Sequence, residues 1–169
     1  MVFLLALLVD ARLRVAHVLT LEKTPLFGRL VGDAARYDAW GQAIAAGDWL
    51  SGDKPFFQDP LYSYFLGALY RLVGHDLAAV RWAQVAFAVG TCALIGVLGR
   101  QVSGPVVGNV APWCWALFLP DIFNTGEVDK TALGLLLSTA ALACVLRPSL
   151  PARAGAGVLV GLAALVPGN

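Results

Sequence analysis

Five apolar stretches, divided by short connections and one long polar-aromatic segment, constrain this chain more than any other feature. They cover 2–21, 78–99, 105–123, 131–146 and 154–166. The second is uncharged except for Arg81 near its start. A helix needs roughly 20 apolar residues to cross a bilayer, and the first two stretches reach that length. Hydrophobic residues make up 59% of the chain and charged ones 14%, with a mean hydropathy of +0.73. That composition leaves too little polar surface for a soluble domain, so the bilayer is the expected solvent. The predicted fold is an all-α polytopic membrane bundle, with spans near 2–21, 78–99, 105–123 and 131–146. A fifth span over 154–169 reads as incomplete, because its apolar run stops at Pro167-Gly168-Asn169.

The first stretch carries Asp10, Arg12, Arg14 and His17. Asp10 and Arg14 are four apart and can pair on one helix face. Charges at membrane depth turn toward protein, so other helices are expected around them. No positive segment precedes this run and no small-residue cleavage site follows it, which argues against a secretory signal. Cys92, Cys114 and Cys144 each lie in an apolar run, with neither zinc nor disulfide spacing. With a formal net charge of +1 and no basic run, the chain is not expected to bind nucleic acid.

Segment 22–77 mixes aromatic residues with Asp33, Asp38, Asp48, Asp53, Asp59 and Asp76. Such a mixture belongs at a membrane–water interface. Within it, 34–46 reads as a helix entered at Gly32-Asp33 and stopped at Gly47. Gly52-Asp53-Lys54-Pro55 reads as a turn. Residues 61–73 form a second helix, too short at about 1.5 Å per residue to cross the ~30 Å core. Both helices are predicted to lie at the interface of one external loop, 22–77. Tyr62, Tyr64 and Trp82 read as interfacial anchors. The connections holding Arg100, Arg147 and Arg153 contain no acid and read as cytoplasmic. Segments 22–77 and 121–130 then share the exoplasmic side.

Two acidic constellations thereby reach one face. In the first, Asp33 and Tyr37 share a helix face, with Arg36 beside them and Asp38 following. The second is Asn124-Thr125-Gly126-Glu127-Val128-Asp129-Lys130, before the fourth apolar stretch. Asn124 or Thr125 is the expected cap of that helix, and Glu127 and Asp129 suit its positive end. Lys130 does not suit it and calls for an anion, either a carboxylate or a phosphate.

The motifs Gly-Asp-Ala-Ala-Arg-Tyr-Asp-Ala-Trp (32–40), Ala-Ala-Gly-Asp-Trp-Leu (45–50), Phe-Phe-Gln-Asp-Pro-Leu-Tyr-Ser-Tyr-Phe-Leu (56–66) and Gly-Glu-Val-Asp-Lys-Thr-Ala-Leu (126–133) give the chain its family likeness. In order and spacing it resembles the N-terminal part of the type C glycosyltransferases that include protein O-mannosyltransferases and aminoarabinose transferases. The resemblance implies transfer of a sugar from a polyprenyl-phosphate carrier to a protein, lipid or glycan acceptor. The reaction would take place on the exoplasmic face of a bacterial inner membrane. It implies a catalytic acid at Asp33, with Asp38 as a second candidate, and a second acidic site at Glu127 or Asp129. The donor phosphate would be met by a cation from Lys130, Arg36 or Lys54, or by a divalent metal held by Glu127 and Asp129. Relatives have many more membrane helices, so this part alone is expected to be inactive. Asp59 departs from the apolar or small residue common before the Pro-Leu-Tyr motif. The rival reading is a non-enzymatic multi-pass protein, such as a transporter or polyprenyl-lipid flippase.

Overall fold

The computed structural model describes residues 1–50 and 59–166. The described residues form helices joined by turns, in the order α1 (Val2–Glu22), α2 (Asp33–Ala45), α3 (Pro60–Val73), α4 (Leu77–Ala116), α5 (Leu119–Asn124), α6 (Thr131–Val145) and α7 (Leu150–Ala163). The predicted turn at 52–55 and the final residues 167–169 lie outside them.

The longest element, α4, folds back on itself. Gly104 has φ 84° and ψ −173°, a backbone state that L side chains rarely adopt. Pro105 follows at a new helix start, where its missing N–H costs nothing. The limbs 77–103 and 105–116 run antiparallel. Trp115 Nε1 donates to Ala88 O at 3.2 Å and Cys92 Sγ to Pro112 O at 3.6 Å. A Cβ on Gly99 would lie 3.0 Å from the Gly108 backbone, so the limbs touch main chain to main chain near the turn. The sequence placed this break correctly but extended the next helix too far. Helix geometry stops at Ala116, and α5 starts afresh with Pro120 in its first turn, because proline cannot continue the preceding helix. Likewise α7 begins at Leu150 rather than 154, since Pro151 is accommodated in a first turn.

Among the described residues, α4 is the one helix long and apolar enough to cross a membrane. Its first limb alone spans roughly 40 Å at about 1.5 Å per residue. Helix α1 has 21 residues but carries Asp10, Arg12 and Arg14, while α6 and α7 are apolar and shorter, with 15 and 14 residues.

Helix α1 buries a stripe of Ala6, Asp10, Arg14 and Val18 and packs along α4, with Phe3 over Gly96. The predicted Asp10–Arg14 pair forms: Arg14 Nε donates to Asp10 at 2.9 Å, and both side chains are wholly buried. Arg14 Nη1 also donates to the Asp121 carboxylate at 2.7 Å and to Thr125 Oγ1 at 2.6 Å. Its guanidinium lies 5.5 Å from the Trp115 ring centroid. One cation thus joins α1, α4 and α5. Helix α6 also packs along α4, and α7 packs on α6.

Removing the cation would leave Asp10 and Asp121 buried without it, and breaking a buried pair on one side costs about 3–5 kcal/mol. Arg14→Met is therefore expected to lower the thermal midpoint in detergent by many degrees. Asp10→Asn/Arg14→Met/Asp121→Asn should recover much of that loss. A single Arg14→Met variant as stable as the parent would refute the structural role.

Candidate functional site

Helices α2 and α3 form a crossed pair against the start of α4. Gly32 (φ 61°) opens α2 and Gly47 (φ 107°) follows it, as the sequence predicts. The two helices meet where side chains are missing: a Cβ on Gly41 would fall 2.7 Å from Leu66 Cβ, and one on Gly67 would fall 2.5 Å from Ile44 Cγ2. Tyr37, Tyr62, Leu66, Tyr70, Val80 and Val128 make the core beneath them. Tyr62, expected as an interfacial anchor, is instead fully buried, edge-on to Tyr37 at 5.2 Å. Its hydroxyl donates to Gln84, which accounts for a polar phenol in a closed core. Trp82, by contrast, is 37% exposed.

Gln84 and Arg81, successive inward residues of α4, fasten the segment before α6. Gln84 Nε2 donates to Thr125 O at 3.0 Å and to Glu127 O, while its Oε1 accepts from Asp129 N at 3.3 Å. Arg81 Nε donates to Gly126 O at 2.7 Å, and its Nη2 to Phe27 O at 2.8 Å. This strapping brings the second acidic constellation against the first. Lys130 Nζ donates to Asp59 at 3.1 Å, and Tyr37 lies near enough for each group to act on the other's protonation. The anion that Lys130 called for is thus a carboxylate, that of Asp59. Burial opposes the charge on Lys130, but Asp59 and Tyr37 outweigh it and hold the pKa above the ordinary 10.5. Burial likewise raises the Tyr37 phenol, against the pull of Lys130. Lys130 and Thr131 also line the end of a mostly apolar cleft of about 270 Å³ between α6 and α7, with Leu135, Ala163 and Val166.

Asp33 and Asp38 lie differently. Asp33, one turn before Tyr37 on the same face, is 67% exposed and faces Arg36 at 3.7 Å. Asp38 is buried and accepts hydrogen bonds from Tyr70 at 2.6 Å and Gln42 at 2.7 Å. His75 Nε2 lies 2.8 Å from the same carboxylate. Asp38 therefore ties α2 to α3 and to the turn beyond it. Burial, followed by the bond to Asp38, drives the Tyr70 phenol far above its usual range. Lys54 lies outside the described residues.

Neither Asn124 nor Thr125 caps α6. Thr125 Oγ1 donates back to Asp121 O at 2.8 Å, and Asp129 accepts from Thr131 N at 3.2 Å and from its hydroxyl. Glu127 lines a separate cleft with Arg29 and Arg81. Among the described residues no group of three or more His, Cys, Asp or Glu side chains is placed to hold a metal ion. The divalent-metal reading therefore has no three-ligand set there to rest on.

The sequence reading missed Gln84 as a strap. The available signal was the one side-chain amide in the apolar stretch 78–99, a group that must find partners when buried. Comparison of the chain with known protein families, with curated proteins and with solved structures yields no match.

The Lys130–Asp59 pair has a pH signature. Because the folded pKa of Lys130 is raised, its stabilisation is complete below the ordinary value and fades as pH rises through the folded one. Asp59→Asn should lower the pKa and speed acylation of Lys130 at about pH 9, read by mass spectrometry of the labelled peptide. Equal labelling in both proteins would show that Asp59 does not control the lysine.

Proposed function

We propose that the chain is the N-terminal part of a polytopic membrane glycosyltransferase that uses a polyprenyl-phosphate-linked sugar. One observation carries the reading. Two polar segments far apart in sequence meet where Lys130 donates to Asp59 near Tyr37, beside a mostly apolar cleft, and the exposed Asp33 lies one helical turn from Tyr37. A lipid-linked phosphate needs a cation beside an apolar channel, and its acceptor needs an accessible base. In this reading Asp33 takes the proton from an acceptor hydroxyl as its oxygen bonds to the anomeric carbon. The bond from that carbon to the phosphate oxygen breaks, and the lipid phosphate leaves as an anion toward Lys130, with Arg36 nearby. Asp38, with its carboxylate already bound by Tyr70, Gln42 and His75, serves better as a positioning residue than as the base.

The topology belongs to the same proposal. Segments 22–77 and 121–130 face the exterior of a bacterial inner membrane, and Arg100 and Arg147 face the cytoplasm. A cysteine at position 48, in a chain lacking its native cysteines, should then react with an impermeant reagent in intact cells. One at position 102 should not. The reverse pattern would overturn this orientation.

The transporter reading keeps one observation in its favour. The Arg14–Asp10–Asp121 network is buried, as ionisable groups in transport pathways are. Sugar transfer decides between them. In membranes holding the complete enzyme, Asp33→Asn should reduce transfer from a radiolabelled polyprenyl-phosphate sugar by roughly 10²-fold or more. Asp48→Asn, altering an acid that accepts from Leu50 N in a turn, should leave it near normal. Full activity in Asp33→Asn would remove this acid from the mechanism.

A further inference from the structure

A cleft holding Arg29, Arg81 and Glu127 sets charged side chains among apolar ones. It encloses about 400 Å³, and its remaining lining is Leu21, Leu26, Val31 and Phe123. Leu26, Val31 and Phe123 are each at least 60% exposed, so apolar surface surrounds the charged groups. Arg81 is a fixed donor: it is 2% exposed, stacks 4.0 Å from the Phe27 ring centroid, and is bonded to Gly126 O and Phe27 O. Its Nη1 also donates to Leu77 O at 3.4 Å, so one N–H is left over on each of Nη1 and Nη2. The Phe27 carbonyl belongs to the turn that carries Arg29, closed by Arg29 N donating to Leu26 O at 3.1 Å. Arg81 therefore pins the loop that presents Arg29 to the same cleft. Neither Arg29 nor Glu127 has an ion-pair partner within 4.0 Å among the described residues.

Two guanidiniums against one carboxylate leave an excess positive charge, and guanidinium geometry matches phosphate oxygens. Apolar walls beside that charge disfavour a free, fully hydrated anion and favour one carried on a hydrocarbon chain. We infer that the Arg29–Arg81 cleft binds the phosphate-ester headgroup of a membrane lipid, with the chain leaving over Leu26, Val31 and Phe123. Glu127 opposes the anion and keeps the affinity moderate, so that the lipid exchanges. The site is separate from Lys130, and it stands whether or not the chain transfers sugar.

The test is calorimetric titration of the protein in neutral detergent with dodecyl phosphate, and separately with inorganic phosphate. Dodecyl phosphate should bind at least about ten-fold tighter, because only it uses the apolar walls. Arg29→Gln, a change at an exposed side chain, should weaken it about ten-fold, and Glu127→Gln should tighten it. Leu26→Ser should weaken dodecyl phosphate without altering the response to inorganic phosphate. Arg71→Gln, which removes a basic residue at the end of α3, should change nothing. The inference is overturned if Arg29→Gln binds normally, or if Arg71→Gln loses as much, which would indicate diffuse charge attraction. Equal affinity for inorganic phosphate would also overturn it, by making the cleft a site for the free anion.

Discussion

The Arg14 guanidinium is the contact on which the arrangement of helices depends. Placed in an apolar element, it had to be met by carboxylates or pushed to water. Asp10 comes from its own helix and Asp121 from α5. Bringing Asp121 inward requires the chain to stop at Ala116 and turn, which fixes where the Thr125–Asp129 segment begins. Gln84 and Arg81 then hold that segment by its carbonyls. The position of Lys130 is thus the last step of a sequence of polar demands that starts in α1.

The same logic governs α2 and α3. Short helices are marginal by themselves and depend on tertiary contacts, and here Asp38 adds polar ties through Tyr70, Gln42 and His75. Close crossing at Gly41 and Gly67 lets Tyr37 and Tyr62 reach the start of α4. Helices α2 and α3 are therefore held against the long helix, and Asp59, which meets Lys130, sits at the start of α3.

Local features were legible in the sequence because their causes are local. Gly32 and Gly47 bound α2, the four-residue spacing joined Asp10 to Arg14, and the second and third apolar stretches were already parted between 99 and 105. Proline shifted two boundaries: Pro120 and Pro151 sit in first turns, where a hydropathy profile sees only continuing apolar character. Partnerships across the fold were not legible. Nothing near Lys130 in sequence indicates Asp59, and nothing near Tyr62 indicates Gln84. Asp59 was visible only as a departure from a pattern, and Tyr62 looked like other aromatics of its segment. Burial distinguished them, and burial depends on which helices cross.

The hairpin in α4 restricts how this sequence can change in length. The limbs touch at Gly99 and Gly108, four residues past the break at Gly104. One residue inserted between the break and Gly108 would rotate the second limb by about 100°. Gly108 would leave the contact, and a residue with a side chain would face Gly99 in its place. Trp115 would swing away from Ala88, and the ring beside Arg14 would go with it. An insertion or deletion in this short stretch therefore disrupts the packing between the limbs, even though it closes a turn, the kind of place where added residues are ordinarily tolerated.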